Sequence, residues 1–133
     1  MLAPCEVAVK CALPAIRAMI AKELMTNCKL RQADAARLLG VSQPAISLYS
    51  RKMRGKAIDL ENDSEIKNLI EELARRLFEG DLPPIKFISS FCQICRKIRA
   101  KGLLCKMHRT FDPSIDIGKC GLCASTELMR CIY

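Results

Sequence analysis

The side chains with the most chemistry to offer are nine cysteines in a chain of 133 residues, at positions 5, 11, 28, 92, 95, 105, 120, 123 and 131. Six of them fall in the last 42 positions: Cys92-Gln93-Ile94-Cys95, Cys105, Cys120-Gly121-Leu122-Cys123 and Cys131, with His108 three places after Cys105. Two Cys-x-x-Cys pairs around a central Cys have the spacing of thiolate–metal chemistry. An odd number of cysteines excludes a complete set of intramolecular disulfides. Met1 to Lys10 show no basic segment leading into a long apolar one, so no secretion signal is read there. The expected compartment is the cytoplasm, where thiols stay reduced.

Cys92, Cys95, Cys105, Cys120 and Cys123 are the expected metal ligands, four of the five serving at once. Zinc would take four thiolates in a tetrahedron. Two features favour a different centre. The 24 residues between Cys95 and Cys120 are long for a zinc ribbon. Cys95 is followed by Arg96-Lys97-Ile98-Arg99, which reads as helix and not as the tight turn of a zinc knuckle. Two cysteines at i, i+3 on a helix can hold two corners of a cubane, so a [4Fe-4S] cluster is preferred, with Zn2+ as the alternative. His108 and Cys131 are the weaker ligand candidates; His108 reads rather as a donor to a ligand thiolate or as a surface residue, and Cys131 lies near the end of the sequence. Cys5, Cys11 and Cys28 lack paired spacing and read as packed thiols.

Charge supplies the second kind of chemistry. Lys and Arg number 22 against 14 Asp and Glu, a net charge of +8. Residues 29–56 carry seven basic groups and one acid, residues 57–80 three basic and seven acidic, and residues 86–109 seven basic and none acidic. Two basic blocks flanking an acidic one suit a nucleic-acid partner. Arg96, Lys97, Arg99 and Lys101 in the second block are expected to add phosphate contacts. An enzyme is not expected. There is one His, no Gly-rich phosphate loop, no nucleophile–base constellation and no thioredoxin-like strand–helix pattern. No small-molecule substrate is implied. No apolar run approaches the ~18 residues of a membrane span, so no membrane partner is expected.

The elements that must carry these groups read as helices throughout, giving an all-α expectation. Leu13, Ile16, Ile20 and Leu24 recur at helical spacing over 4–27, with a kink or a break expected near Pro14. Gln32 to Leu39 form a short helix with Ala35, Ala36 and Leu39 on one side. Gly40-Val41 interrupt it, and Ser42 is a good N-cap for a second helix with Pro44 in its first turn. Ile66, Leu69, Ile70, Leu73 and Leu77 make an amphipathic stripe over 57–80, a core face or a dimer contact. Asp81-Leu82-Pro83-Pro84 mark a boundary. Residues 84–101 return to helix with Ile88, Phe91, Cys95 and Ile98 on its stripe. Residues 103–133 hold too few large apolar side chains for a core of their own, as expected of a segment held by metal or by docking.

The run from Leu30 to Ser50, LRQADAARLLGVSQPAISLYS, resembles the lambda-repressor-like (XRE-type) helix-turn-helix over about residues 15–80. The resemblance implies that the second helix enters the major groove of double-stranded DNA. Ser42, Gln43, Pro44 and Ser47 would face bases, Gln43 able to pair bidentately with an adenine edge. Gln32 would brace a phosphate, as its position does in that family, and Arg51, Lys52, Arg54 and Lys56 would neutralise others. The opening MLAPCEV, the following LPAIR and the later Cys-x-x-Cys are similar to a set of archaeal predicted transcriptional regulators that pair such a domain with a Cys-rich tail. The implied organisation is a DNA-binding domain at 1–80, with its motif at 30–54, and a Cys-rich metal-binding module at 81–133. The implied activity is sequence-specific transcription regulation by a homodimer, with the cluster sensing redox state, oxygen or iron–sulfur status. The alternative is the same regulator with a structural zinc.

Overall fold

The computed structural model of the chain describes residues 1–116, 118–121 and 123. Its described residues are all-helical and include no strand: α1 (Pro4–Lys10), α2 (Ala12–Thr26), α3 (Gln32–Leu39), α4 (Gln43–Ser50), α5 (Ser64–Glu79), α6 (Pro84–Ala100) and α7 (Cys105–Phe111).

The break between α1 and α2 follows from Pro14. Proline has no N–H to return to the Lys10 carbonyl, and its ring collides with that oxygen. The chain leaves helical geometry at Cys11, with φ −122° and ψ −55°. Beyond the break, Ile16, Ile20 and Leu24 are fully buried, and α2 becomes the central helix, in contact with α1, α3, α4, α5 and α6. Leu13, on the same stripe, is only half-buried.

Helices α3 and α4 cross through small residues. Ala35, Ala36 and Ala45 are buried and Ile46 is completely enclosed. Gly40 takes φ 69°, and the N–H groups of Gly40 and Val41 return to the carbonyls of Arg37 and Ala36 at 3.3 and 3.0 Å. This closes α3 in a left-handed cap that glycine adopts without a Cβ penalty. Two residues later Ser42 Oγ accepts the Ala45 N–H at 3.2 Å, opening α4. The same closing pattern ends α4, with Lys52 N–H on Tyr49 O and Met53 N–H on Leu48 O, but there Lys52 and not glycine occupies the left-handed position, at φ 55°. The chain then returns along α2 past Gly55.

Helix α5 is shorter than the 57–80 pattern suggests. It starts at Ser64, where Asp63 accepts the Ile66 N–H at 3.1 Å. Ile66, Ile70 and Leu73 are buried in the core, and Leu69 and Leu77 are half-buried against it, so the stripe is a core face and not an open dimer contact. On α6 the buried side chains are Phe91, Ile94, Ile98 and Arg99, whereas Ile88 is 58% exposed. Ile94, three places after Phe91 and four before Ile98, takes the core position assigned from sequence to Ile88. Buried residues on both sides of Asp81, among them Ile70, Leu82 and Ile98, belong to one continuous core.

The C-terminal segment is tied to the N-terminus by polar contacts. Asp112 Oδ2 accepts the Leu2 N–H at 2.8 Å, and His108 Nε2 lies 2.8 Å from the Leu2 carbonyl oxygen. No helix among the described residues is long and apolar enough to cross a membrane.

Candidate metal centre and nucleic-acid interface

The end of α6, the turn after it and α7 wrap a cavity of about 200 Å³. Gly102, at φ 74°, allows the chain to reverse here, and Leu104, buried, anchors the start of α7. The cavity is lined by Cys105, Cys120 and Cys123 together with Pro4, Arg99 and His108. The structure therefore brings together three of the five cysteines singled out from sequence. The other two, Cys92 and Cys95, are on α6 and are not among its lining residues. Cys92 is exposed and Cys95 half-buried. Cys131 lies outside the described residues.

The thiols ring the cavity and do not meet at a point. Among the described residues no three His, Cys, Asp or Glu side chains are gathered closely enough to hold a metal ion as they stand. The donor set itself is soft and sulfur-rich, the chemistry that zinc and iron–sulfur centres select. Burial pushes the Cys123 thiol up. Arg99 pulls it down, while Cys105, Cys120 and Cys5 push the same way as burial. Arg99 is buried, and its Nη1 donates to Cys5 Sγ at 3.4 Å. Cys5 therefore departs from the reading as a packed thiol: it is an exposed side chain on the first turn of α1, held by the guanidinium that also lines the cavity. Cys11 fits that reading, since it is buried and burial raises its thiol. Cys28 is half-buried, and burial raises its thiol too, helped by Glu23 and Glu79. His108 is buried, with Nε2 spent on Leu2.

The second set of residues lies on α3, α4 and the loop beyond. Gln43 and Pro44, in the first turn of α4, are exposed. Ser42 is exposed but its oxygen already caps the helix, and Ser47 is half-buried. Gln32, at the start of α3, is half-buried. Arg51, Lys52, Arg54 and Lys56 are all exposed and have no acidic partner at ion-pair distance among the described residues. Arg54 is positioned over the Tyr49 ring, 5.9 Å from its centroid, and Arg51 Nε donates to the Ser47 carbonyl at 3.4 Å.

The second basic block behaves differently. Lys97 pairs with Glu65 at 2.5 Å, and Lys101 with Glu65 at 2.6 Å and Asp63 at 3.0 Å. Lys101 and then Lys97 hold the Glu65 carboxyl below its usual range. Arg99 is buried against Cys5 and Arg96 is half-buried. The four residues expected to extend a phosphate-binding face are thus not a free cationic surface. Asp63 and Glu65, before and at the start of α5, offset the charge of Lys97 and Lys101, a tertiary pairing that sequence order conceals.

No protein-family model, curated protein or solved structure matches the chain.

Proposed function

We propose that the chain is a sequence-specific DNA-binding transcription regulator. In this reading α3 and α4 form a lambda-repressor-like helix-turn-helix, and a Cys-rich C-terminal module holds an iron–sulfur centre that senses redox state, oxygen or iron–sulfur status. The observation that carries it is the exposed first turn of α4, with Gln43 and Pro44, together with four exposed cations from Arg51 to Lys56, after the other end of the same short helix, that have no acidic partner at ion-pair distance among the described residues. A rigid polar helix end, with exposed cations in the loop that follows the same helix, suits a groove lined by phosphates. Gln43 and Ser47 would read bases, Ser42 sharing its hydroxyl between cap and base, and Gln32 would brace a phosphate. One such unit reads a half-site, so the regulator acts as a homodimer on double-stranded DNA.

Cys105, Cys120 and Cys123 would hold the centre, and an iron–sulfur cluster there supplies a group whose integrity depends on oxidants. Arg99 stabilises thiolates in a site partly closed from water. The chain's own part is to hold three sulfurs around one cavity and to join that cavity, through α1, to the helix on which α3 and α4 rest.

The test has two readouts. Anaerobically purified protein is expected to be brown, with a broad band near ~400 nm and bound iron and sulfide. Its affinity for a duplex selected from a random pool is expected to change when the centre is oxidised. Colourless protein with one zinc per chain, unchanged in air, would make the module a structural clip. Equal affinity with intact and oxidised cluster would end the sensing reading.

A further inference from the structure

We infer that Cys5 supplies the fourth thiolate of the centre that Cys105, Cys120 and Cys123 surround, so that a bound metal centre locks the first helix onto the C-terminal segment. The inference rests on the proposed metal centre and specifies how it is completed.

Three thiols leave a four-thiolate centre one ligand short. Pro4 forms part of the cavity wall, and Cys5 is the next residue. The Arg99 guanidinium spans the two sides, lining the cavity and donating to Cys5 Sγ at 3.4 Å. The placement of Cys5 does not depend on the centre. Leu2 is held between Asp112 and His108, with both hydrogen bonds at 2.8 Å, and Glu6 Oε1 accepts the Ala3 N–H at 3.0 Å to open α1. Cys5 is exposed and not itself part of the cavity wall, but the fold holds it beside two residues that are, Pro4 and Arg99, before any metal arrives.

The rivals from sequence are placed less well. Cys92 is seven residues before Arg99, two helical turns or about 10 Å along the axis from the residue that holds Cys5. Cys95 is one turn from Arg99 on the same helix and is the real competitor. Four ligands from α1, α7 and the segment after it would make the centre a clasp between chain ends. Helix α1 also buries Val7 and Ala8 in the core that α2 shares with α3 and α4, which is the physical route from the centre to the proposed DNA-binding surface.

The experiment uses the full chain, reduced, with and without anaerobic reconstitution by ferrous iron and sulfide. Iodoacetamide labelling is followed for each cysteine by peptide mass spectrometry. Ligation is expected to slow labelling of Cys5, Cys105, Cys120 and Cys123 together by at least about tenfold, because a metal-bound thiolate is not a free nucleophile. Cys92 is expected to label equally in both states. Protection of Cys95 with Cys5 labelled at its metal-free rate overturns the inference and leaves the metal centre standing. Failure of the chain to load any iron overturns both. Cys5→Ser, with helical content checked by circular dichroism, is expected to lose its iron to a chelator faster than Cys92→Ser. Equal retention by the two variants counts against Cys5 as a ligand.

Discussion

His108 and Leu2 are joined by a hydrogen bond of 2.8 Å between the imidazole Nε2 and a carbonyl oxygen, across 106 positions of chain. A carbonyl carries no proton, so Nε2 must be the protonated, donating nitrogen. The neighbouring Leu2 N–H is taken by Asp112. Together the two side chains satisfy both polar groups of one backbone residue, and this sets the register of the N-terminus against α7.

The first prediction concerns the acid stability of this clamp. The Asp112 carboxyl is held below the usual carboxylate range, first by the Ser114 hydroxyl and then by the Leu2 N–H. A depressed folded-state pKa adds stability that is present above the unfolded value near ~3.9 and is lost as pH falls through the lower folded value. Asp112→Asn should therefore be less stable than wild type at neutral pH, and the gap should close as pH falls below the ordinary carboxylate range. Urea unfolding across pH measures the gap. A gap that stays constant into acid would show that the charge of Asp112 contributes nothing.

A second prediction separates base reading from charge. Gln43→Ala should flatten discrimination between a selected operator and its single-base variants by about 1–3 kcal/mol at one position. Arg51→Ala should weaken binding to all duplexes and reduce the slope of log affinity against log salt by about 0.9 for each phosphate it no longer neutralises. Fluorescence anisotropy over a salt series gives both quantities. An Arg51 variant altered only in sequence preference would reverse the assignment.

Lys97 and Lys101 give the contrasting case. Both are basic and both lie in a block that sequence alone makes attractive for phosphates, yet Asp63 and Glu65 already pair with them. Replacing the two by Gln should leave the salt slope of DNA binding unchanged within error. A fall comparable to that of Arg51→Ala would mean that the pairs open on DNA.

These contrasts show where sequence was informative. Local chemistry was legible: the Pro14 break, the Ser42 cap, the Gly40 turn and the α5 stripe each depend on residues within a few positions of one another. Ile88 and Ile94 were harder, because both fall near the stripe and only the packing of α6 on α5 and α2 decides which is covered. The pairing of Lys101 with Asp63 and the hydrogen bond from Arg99 to Cys5 depend on how helices distant in sequence pack. Motif spacing favoured Cys92-x-x-Cys95, a pattern visible along the chain, over a single cysteine near the N-terminus that only the fold brings against Arg99.

Gly55 carries a packing prediction. It has φ +78°, and a Cβ there would lie 2.7 Å from the Pro14 carbonyl oxygen and 2.8 Å from the Ala18 Cβ. At Gly80 the φ is similar, +76°, but the space is open. Gly80→Ala should cost only the left-handed penalty of roughly 1 kcal/mol, whereas Gly55→Ala adds a backbone clash and should cost clearly more. Thermal unfolding of the two variants compares them. Equal losses would place the loop farther from α2 than 2.7 Å implies.

Lys52 allows fold and proposed function to be pulled apart. It occupies the left-handed position that closes α4, at φ 55°, where glycine fits without strain and a side chain costs on the order of 1 kcal/mol. It is also exposed, without an acidic partner at ion-pair distance among the described residues, beside Arg51. Retaining a strained lysine at that point makes physical sense if its charge is needed there. Lys52→Gly should therefore unfold at a temperature equal to or above that of wild type, while binding every duplex more weakly and with a shallower salt slope. Lys52→Gln keeps the strain, removes the charge and should show the binding loss without the gain in stability. If Lys52→Gly binds DNA as wild type does, the charge does not neutralise a phosphate, and the strain at this helix end has no role in binding.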